Sequence, residues 1–257
     1  MSKIKQSSST LLVKKTNSLW IELDTVDSTN NYAMGLIHEG VAQHGMTVFA
    51  HHQTQGKGQR GKSWASEPGA NLSYSIIVQP SFLLPAQSFQ LLSTTAVSVR
   101  NSLSFLTGDE TTIKWPNDLY WRDRKTGGIL IENVIRGTQW QWAIIGIGIN
   151  VNQTKFKNLP NPVSIKQITG KTTDVPELAK SIYAELINSL SLLKKNGFSE
   201  LHEQYNRHLY KLNEVVRLKK GPRNFETLIN EVTNNGQLVT GYETKEYFDF
   251  GDIEWLA

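Results

Sequence analysis

Hydrophobic and polar residues alternate along this 257-residue chain in segments that predict a mixed sheet with helices packed on it. Runs rich in β-branched and aromatic residues predict strands over residues 19–23, 46–50, 72–78, 111–114, 128–134 and 140–149. Apolar residues at helical spacing predict helices over residues 32–38, 85–106, 175–195 and 198–209. Gly40 and Gly108 follow two of these helices and are expected to end them.

From residue 214 onward the pattern changes to short strands separated by turns. Strands are predicted over residues 215–218, 225–232, 238–240 and 254–256, with a hairpin turn at Asn234-Asn235-Gly236. We therefore expect three parts: a tail over residues 1–17, a main domain over 18–211 and a small β domain over 212–257. The fold class predicted from this order is α/β (α+β), with a mixed sheet flanked by helices.

Composition narrows the classes of function. With 39% hydrophobic and 19% charged residues the chain is typical of a globular protein, and its net charge of +4 is too small by itself to indicate nucleic-acid binding. The absence of cysteine excludes disulfides, thiolate zinc sites and a cysteine nucleophile, and it fits a cytoplasmic location. No apolar run approaches the ~20 residues that span a membrane, and the polar residues 1–16 do not fit a secretory signal.

Residues 53–64 form the segment with the most distinctive chemistry. Its three glycines alternate with three cations before an indole, as Gly56, Lys57, Gly58, Arg60, Gly61, Lys62 and Trp64. Glycine lets a backbone approach a ligand closely, and cations neutralise carboxylate or phosphate groups. The segment is therefore predicted to bind an anion such as a nucleotide phosphate. Taken alone, it fits a flexible, solvated basic turn equally well.

A second motif, Lys114-Trp115-Pro116-Asn117-Asp118, lies at the end of a predicted strand. Pro116 prevents the strand from continuing, so Lys114 either points into a cleft toward an anion or lies solvated on a surface turn.

Two other motifs also have an ordinary structural alternative. The glycines Gly146 and Gly148 permit a flat ligand to lie on a strand, with Asn150 reading a base edge, but they fit a strand bend just as well. Ser28-Thr29-Asn30 either binds a neutral polar head group or caps the following helix, and capping is favoured on local grounds.

Together these motifs resemble those of the biotin protein ligases. The family's order is Ser-Thr-Asn, a Gly-Arg-Gly-Arg-type loop, Lys-Trp-Pro-Asn-Asp, Gly-Ile-Leu-Val-Glu and Gly-x-Gly-Ile-Asn. The chain carries these in the same order at residues 28–30, 56–61, 114–118, 128–132 and 146–150. The resemblance implies a class II aminoacyl-tRNA-synthetase-like catalytic domain over residues 18–211 and an SH3-like β-barrel over 212–257.

The resemblance also implies the activity. Such a ligase forms biotinyl-5′-AMP from biotin and ATP and transfers biotin to a lysine of a biotin carboxyl carrier protein, a domain of a biotin-dependent carboxylase. ATP, with Mg²⁺ held by its phosphates, and biotin are substrates, and no tightly bound cofactor is implied. No DNA or membrane partner is expected, and the chain is expected to be a monomer or homodimer.

Site residues follow from the resemblance position by position. The residues implied to bind biotin are Ser28, Thr29, Asn30, Gln53, Lys57, Gly58, Gln59, Lys114, Gly128, Gly146 and Gly148. Those implied to bind the nucleotide are Lys57, Arg60, Lys62, Trp64, Lys114, Asn117 and Asn150. Lys114, Arg60 and Lys57 are implied to be catalytic, and Lys114 would hold the biotin carboxylate and then an α-phosphate oxygen.

The loop departs from the family's common form, which has arginine where Lys57, Gln59 and Lys62 stand. Lysine keeps the charge but loses the bidentate fork, whereas Gln59 loses the charge. Because this position is linked in the family to retention of the adenylate, we expect a working ligase with leakier release of its intermediate.

Three other functions fit parts of the sequence less well. Some biotin ligases are also repressors with an N-terminal helix-turn-helix, but only some 17 residues precede the first predicted strand, so a short monofunctional ligase is expected. A lipoate-type ligase shares the fold, but it is not expected to combine this glycine loop with Lys-Trp-Pro-Asn-Asp. A non-catalytic nucleotide-binding module is less favoured. No metal site is predicted, because the adjacent His51 and His52 face opposite ways on a strand and lack a third ligand.

Overall fold

The computed structural model describes residues 19–156 and 161–256, and the predicted tail over residues 1–17 lies outside them. The described strands are β1 Trp20–Val26, β2 Met46–Gln53, β3 Leu72–Val78, β4 Thr111–Lys114, β5 Asp118–Trp121, β6 Arg124–Arg136, β7 Gln139–Ile149, β8 Val215–Lys220, β9 Arg223–Val232, β10 Leu238–Thr240, β11 Glu246–Phe248 and β12 Glu254–Trp255. The α-helices are α1 Thr29–His38, α2 Ser88–Thr107, α3 Ile165–Thr169, α4 Val175–Lys194 and α5 Phe198–Arg207. Two 3₁₀ turns cover Gln59–Gly61 and Pro85–Gln87.

A seven-stranded sheet in the order β1-β2-β3-β7-β6-β5-β4 forms the centre of the molecule. β1 and β2 pair in parallel and the other neighbours pair antiparallel, which confirms the predicted mixed sheet. β5 was not predicted, because Asn117-Asp118 reads as a turn. In the structure residues 115–117 instead join β4 to β5 in a short hairpin, in which Lys114 pairs with Asp118.

One face of this sheet carries the main hydrophobic core. Its side chains come from alternate positions of β3, β6 and β7, and they include Tyr74, Ile76, Ile129, Ile145 and Ile147. Helices α2 and α4 contact this side of the molecule. The buried hydroxyls of α2 are satisfied within the helix, since Ser93, Thr95 and Ser98 each donate to the carbonyl four residues earlier. A helix rich in serine and threonine can therefore be buried without unpaired donors at these positions.

The opposite face of the sheet is covered at one end by α1. Ala33 and Leu36 of α1 pack with Val48, Ile77 and Ile144 of the strands in a second, smaller cluster. The helix ends as predicted, because Gly40 adopts φ +70°, a conformation that L side chains rarely take. The N-terminus of α1 is thereby fixed over the sheet, next to the glycines of β7.

The C-terminal residues form a separate five-stranded sheet in the order β11-β10-β9-β8-β12. β11 and β12 lie at its two ends, so the sheet is open. The predicted turn at residues 234–236 joins β9 to β10, and Thr233 N–H donates to Gln237 O at 2.8 Å across it. The indole N–H of Trp115 donates to Gly236 O at 2.8 Å, which ties this sheet to the β4–β5 hairpin.

No helix within residues 19–156 and 161–256 is long and apolar enough to cross a membrane.

Candidate active site

A row of directly paired residues crosses the sheet from β3 to β4. Ser73 pairs with Gly148, Gly148 with Gly128, Gly128 with Asp118, and Asp118 with Lys114. Directly opposed residues of antiparallel strands point to the same face, so these five positions share the face that is not occupied by the main core. We call them the transverse row. Three predicted site residues, Gly128, Gly148 and Lys114, belong to it.

The two glycines of β7 are needed for close packing and not for a strand bend. A Cβ atom at residue 146 would collide with Oδ1 of Asn30, and one at residue 148 would stand 2.6 Å from Cε2 of Trp64. In this structure the flat group lying on Gly148 is therefore the Trp64 indole, whereas the Asn30 amide lies on Gly146. The indole Nε1 is buried and has no hydrogen-bond partner among the described residues.

Ser28, Thr29 and Asn30 at the start of α1 are all buried. Ser28 occupies the N-cap position, but its side chain makes no capping hydrogen bond, so the capping interpretation is wrong for this residue. Thr29 instead contacts Gln53 at the end of β2: its N–H donates to Gln53 Oε1 at 2.7 Å and its hydroxyl to the same oxygen at 3.1 Å. Three predicted biotin-binding side chains thus lie in one buried polar cluster with Gln53.

Two residues to which the sequence analysis assigned no role complete this cluster. The Ser75 hydroxyl of β3 donates to Asn30 Oδ1 at 2.6 Å and lies 2.7 Å from Thr29 Oγ1. Glu132 of β6 accepts from Asn30 Nδ2 at 2.6 Å and lies 3.5 Å from Lys57 Nζ. The sequence did carry a signal for both, since each is a polar residue within a strand that is rich in apolar residues. Glu132 joins the glycine loop to the α1 N-terminus.

The glycine loop is a small hairpin in the structure. Gly58 N–H donates to Lys62 O at 2.7 Å, and Trp64 N–H donates to Gly56 O at 2.8 Å. Arg60 lies in the turn with φ 55°. The hairpin brings Trp64 down onto β7 while the cations stay at the surface.

Arg60 contacts the C-terminal sheet rather than the transverse row. Its guanidinium lies 4.6 Å from the centroid of the Phe250 ring and donates to Phe250 O at 3.3 Å. The side chain also lies against Gly251, where a Cβ atom would overlap it. Lys62 and Arg60 are exposed, and Gln59 is half-buried.

Lys114 lies in an aromatic environment at the β4 end of the row. Its ammonium is 4.7 Å from the centroid of the Tyr120 ring, 5.3 Å from that of Tyr210 and 4.8 Å from that of Trp255. Burial lowers the pKa of Lys114 from its ordinary value of 10.5 to about 8; Asp118 acts in the opposite direction.

Lys125 of β6 is a further candidate that the sequence did not single out. Its ammonium lies 2.7 Å from Asp118 Oδ1, and it stands 3.7 Å from where a Cβ atom of residue 128 would lie. Lys125 is therefore the lysine over the middle of the transverse row, whereas Lys114 lies in the aromatic environment at its end. No motif marks Lys125. It shares β6 with Gly128, and the pairing of β5 with β6 brings it to Asp118.

The two asparagines predicted to contact the nucleotide are both buried beside the row. Asn117 donates through Nδ2 to Ile129 O at 2.6 Å, and Asn150 donates through Nδ2 to Lys125 O at 3.3 Å. In this structure their amides brace the β4–β5 turn and the β6 backbone.

Within residues 19–156 and 161–256, no group of three or more His, Cys, Asp or Glu side chains is placed to hold a metal ion. His51 Nε2 lies 2.8 Å from Glu22 Oε1.

Comparison with known proteins gives consistent matches. Residues 22–150 match the biotin/lipoate A/B protein ligase family. The chain is 30% identical over 219 residues to the bifunctional ligase/repressor BirA of Escherichia coli, a match that spans 84% of this chain and 67% of that protein. It is 27% identical over 227 residues to the biotin–[acetyl-CoA-carboxylase] ligase of Mycobacterium tuberculosis, spanning 85% of this chain and 83% of that one.

A solved structure agrees with these matches. The biotin protein ligase of Aquifex aeolicus in complex with biotin and ATP superposes with a TM-score of 0.78 and 26% identity, covering 91% of this chain and 97% of that one.

Proposed function

Because this chain belongs to the biotin/lipoate A/B protein ligase family, we propose that it is an ATP-dependent ligase that attaches biotin to a lysine of a biotin carboxyl carrier protein. In the first step a biotin carboxylate oxygen attacks the α-phosphorus of ATP, which forms biotinyl-5′-AMP and releases pyrophosphate. In the second step the ε-amine of the acceptor lysine attacks the acyl carbon, and AMP leaves.

The buried polar cluster at the start of α1 supports biotin as the substrate most directly. Ser28, Thr29, Asn30, Gln53 and Ser75 supply hydroxyl and amide groups within one enclosed region. A ureido ring both donates and accepts hydrogen bonds, so it can replace the contacts that these groups now make with one another. The apolar dithiolane of lipoate would leave such buried groups unpaired, at a cost of about 1–3 kcal/mol each.

The transverse row gives the valeryl chain and the carboxylate a path away from this cluster. Gly146, Gly148 and Gly128 carry no side chain on that face, and the Trp64 indole covers it at Gly148. A carboxylate that follows the row arrives near Lys125 and Asp118. This path supports the proposal that the reaction takes place over β6. Trp64 and Asn150 are proposed to contact the adenine.

The cations around this face suit the chemistry of the first step. Attack of a carboxylate on a phosphate brings anions together, so positive charge must neutralise them where water is excluded. Lys57 and Lys62 of the loop, with Arg60, are proposed to cover the phosphates. Lys114 is proposed to act on the carboxylate and the α-phosphate, and the position of Lys125 adds a second lysine to that role. Gly58 and Gln59 are proposed to complete the biotin contacts.

Mg²⁺ is proposed to enter as the ATP complex, since the described residues lack a metal-binding cluster of their own. The residues then bind a substrate whose charge is already partly neutralised. Lys57, Lys62 and Arg60 supply the remaining countercharge from the protein side.

The two sheets are proposed to belong to two domains. We assign residues 18–211 to a class II aminoacyl-tRNA-synthetase-like catalytic domain and residues 212–257 to a small SH3-like β module, supported by the two sheets and by the similar Aquifex structure. The partner is a carrier domain of a biotin-dependent carboxylase. A cytoplasmic location suits the absence of cysteine.

Calorimetry with biotin and with lipoate is the first test of this function. We expect biotin to bind and lipoate not to bind. Pyrophosphate release should then begin when Mg-ATP is added to the biotin complex, and a carrier domain should gain one biotin on its lysine. Binding of lipoate alone would favour the lipoate-type ligase, and biotin binding without pyrophosphate release would favour a non-catalytic module.

A further inference from the structure

The ammonium of Lys114 is enclosed by three aromatic rings, which we call the Lys114 cage: Tyr120, Tyr210 and Trp255. Their centroids lie 4.7, 5.3 and 4.8 Å from Nζ, each within the range at which a ring face attracts a cation. Nζ also lies 3.4 Å from the Tyr120 hydroxyl. A lysine held by several ring faces has one preferred position, whereas a solvated lysine samples many rotamers.

The cage is assembled from distant parts of the chain. Tyr120 belongs to β5, next to Lys114 in the sheet, whereas Trp255 belongs to the last strand of the C-terminal sheet. Tyr210 follows α5, and its N–H donates to Ile113 O at 2.9 Å, beside Lys114. The Tyr210 ring also lies at a tilted angle 5.0 Å from the Tyr120 ring and 5.8 Å from the Trp255 ring, so the three rings support one another.

Trp255 contributes its ring and not its N–H group to this arrangement. Its Nε1 is buried without a hydrogen-bond partner among the described residues, so no directed bond explains its position. β12 fixes it by pairing with β8, where Trp255 stands opposite Leu218. The C-terminal strand thus closes the aromatic wall around an active-site lysine.

Enclosure also changes the charge of Lys114. Burial lowers its pKa to about 8, so the ammonium is mostly charged at neutral pH and mostly neutral above pH 9. The titratable groups that face it are Asp118, Asp123, Lys125 and the hydroxyls of Tyr120 and Tyr210. Asp118 links the two lysines, because it stands opposite Lys114 in the β4–β5 pairing and forms an ion pair with Lys125.

We propose that Trp255 and Tyr210 are positioning residues for the adenylation step: they hold Lys114 beside Asp118, so the C-terminal sheet completes the active site. This proposal rests on the function proposed above. A purely structural role for Trp255 would affect stability but would leave the ionisation of Lys114 unchanged.

The test combines two Trp255 variants with a control from the same sheet. Trp255→Phe keeps a ring face, Trp255→Leu removes it, and Tyr247→Leu removes an exposed ring from β11 at the other end of the sheet. Trace acetylation of the full chain, read by peptide mass spectrometry as a function of pH, gives the pKa of Lys114 without requiring turnover.

We expect the Lys114 pKa to rise in Trp255→Leu by about one unit or more, because the gain in hydration of the ammonium outweighs the loss of one of its three ring faces. The alkaline limit of pyrophosphate release should move upward with it, and kcat should fall about tenfold. Trp255→Phe should stay within about twofold of wild type in kcat, and Tyr247→Leu should match wild type in both measurements.

An unchanged Lys114 pKa in Trp255→Leu would overturn the proposal, whether or not turnover falls. If a thermal scan shows that Trp255→Leu is unfolded, Trp255→Phe is compared with Tyr210→Leu, which removes another ring of the cage. The proposal would also be overturned if Trp255→Phe shifted the Lys114 pKa and the pH profile of pyrophosphate release as far as Tyr210→Leu does. Failure of the wild-type chain to release pyrophosphate with biotin and ATP would instead contradict the proposed function. The acetylation measurement would still show whether Trp255 affects the Lys114 pKa, because it does not require turnover.

Discussion

The indole of Trp64 lies against the backbone of Gly148, so closely that a Cβ atom at residue 148 would stand 2.6 Å from ring atom Cε2. The contact joins the glycine loop to the central strand of the candidate site. The contact explains why a glycine is present in an otherwise apolar strand. It also means that a single methyl group added at residue 148 would displace the glycine loop.

Gly148→Ala is expected to displace Trp64 and to weaken biotin binding by about tenfold, since overpacking costs roughly 1–3 kcal/mol. Calorimetry with biotin measures the effect. Gly35→Ala in α1 is the matched control, because nothing lies within 4 Å of a Cβ atom there. That control should gain helix stability and bind biotin normally. Equal affinity for biotin in Gly148→Ala and Gly35→Ala would show that the Trp64 contact does not shape the pocket.

Ser75→Ala is expected to weaken biotin binding while leaving the fold intact. The hydroxyl that it removes positions both Thr29 and Asn30, at 2.7 and 2.6 Å. Losing one buried hydrogen bond costs about 0.5–1.5 kcal/mol, so the unfolding midpoint in urea should fall only modestly. Ser98→Ala in α2 removes a buried hydroxyl on the other side of the sheet and should lower stability similarly without changing affinity. An equal loss of biotin affinity in Ser75→Ala and Ser98→Ala would contradict a role for Ser75 in the pocket.

Lys114→Met is expected to abolish adenylate formation while the protein stays folded. The lowered pKa means that the unfolded chain binds more protons than the folded chain between pH 8 and 10.5, so wild-type stability should rise with pH in that range. The variant should lack this rise and be no less stable at pH 7, because it no longer buries a charge. Urea unfolding at several pH values and a pyrophosphate assay measure both effects. Near-normal turnover would remove Lys114 from the reaction.

Lys125→Met is expected to reduce pyrophosphate release by a hundredfold or more, because a cation over the row would no longer stabilise the charge that develops on the phosphate. Its removal also leaves Asp118 without its 2.7 Å partner. Lys180→Met, which breaks an exposed pair with Glu177, serves as the charge-matched control and should be active. Full activity in Lys125→Met would mean that Lys114 acts alone.

Gln59→Arg is expected to reduce release of free biotinyl-AMP several-fold. The glutamine begins the 3₁₀ turn at the tip of the loop hairpin, where an arginine would add a charge-assisted donor for the phosphate. Hydroxylamine trapping of free adenylate, with the carrier protein left out, measures the leak. A wild-type leak no higher than that of the arginine variant would refute the idea.

Much of the fold was accessible from sequence because the strong elements are local. The apolar runs of β3 and β7, the glycine that ends α1 and the turn at residues 234–236 all depend on neighbouring residues. β5 was missed because Asn117-Asp118 reads as a turn, and the three-residue β11 was not predicted either. The five-residue α3 was missed because it is too short to show a helical period.

The predicted site was less complete because its contacts are long-range. The motifs placed Thr29, Asn30 and Gly146 correctly together, but Glu132 meets Asn30 across 102 residues of sequence. Lys125 belongs to no motif, and the strand pairing alone carries it to Asp118. Local reasoning also favoured helix capping by Ser28, whereas the fold directs the neighbouring side chains into a buried polar cluster.

The transverse row has a consequence for how the chain can vary in length. Its five members come from five strands, so the site is held by strand pairing rather than by loops. Deleting one residue of β6 before Gly128 would turn the following side chains over and set Ile129 where Gly128 now lies beside Asp118 and Lys125. The turn at Gly137 between β6 and β7 lies outside the row. Insertions compatible with activity are therefore confined to such turns, and this turn is a natural place to attach a label.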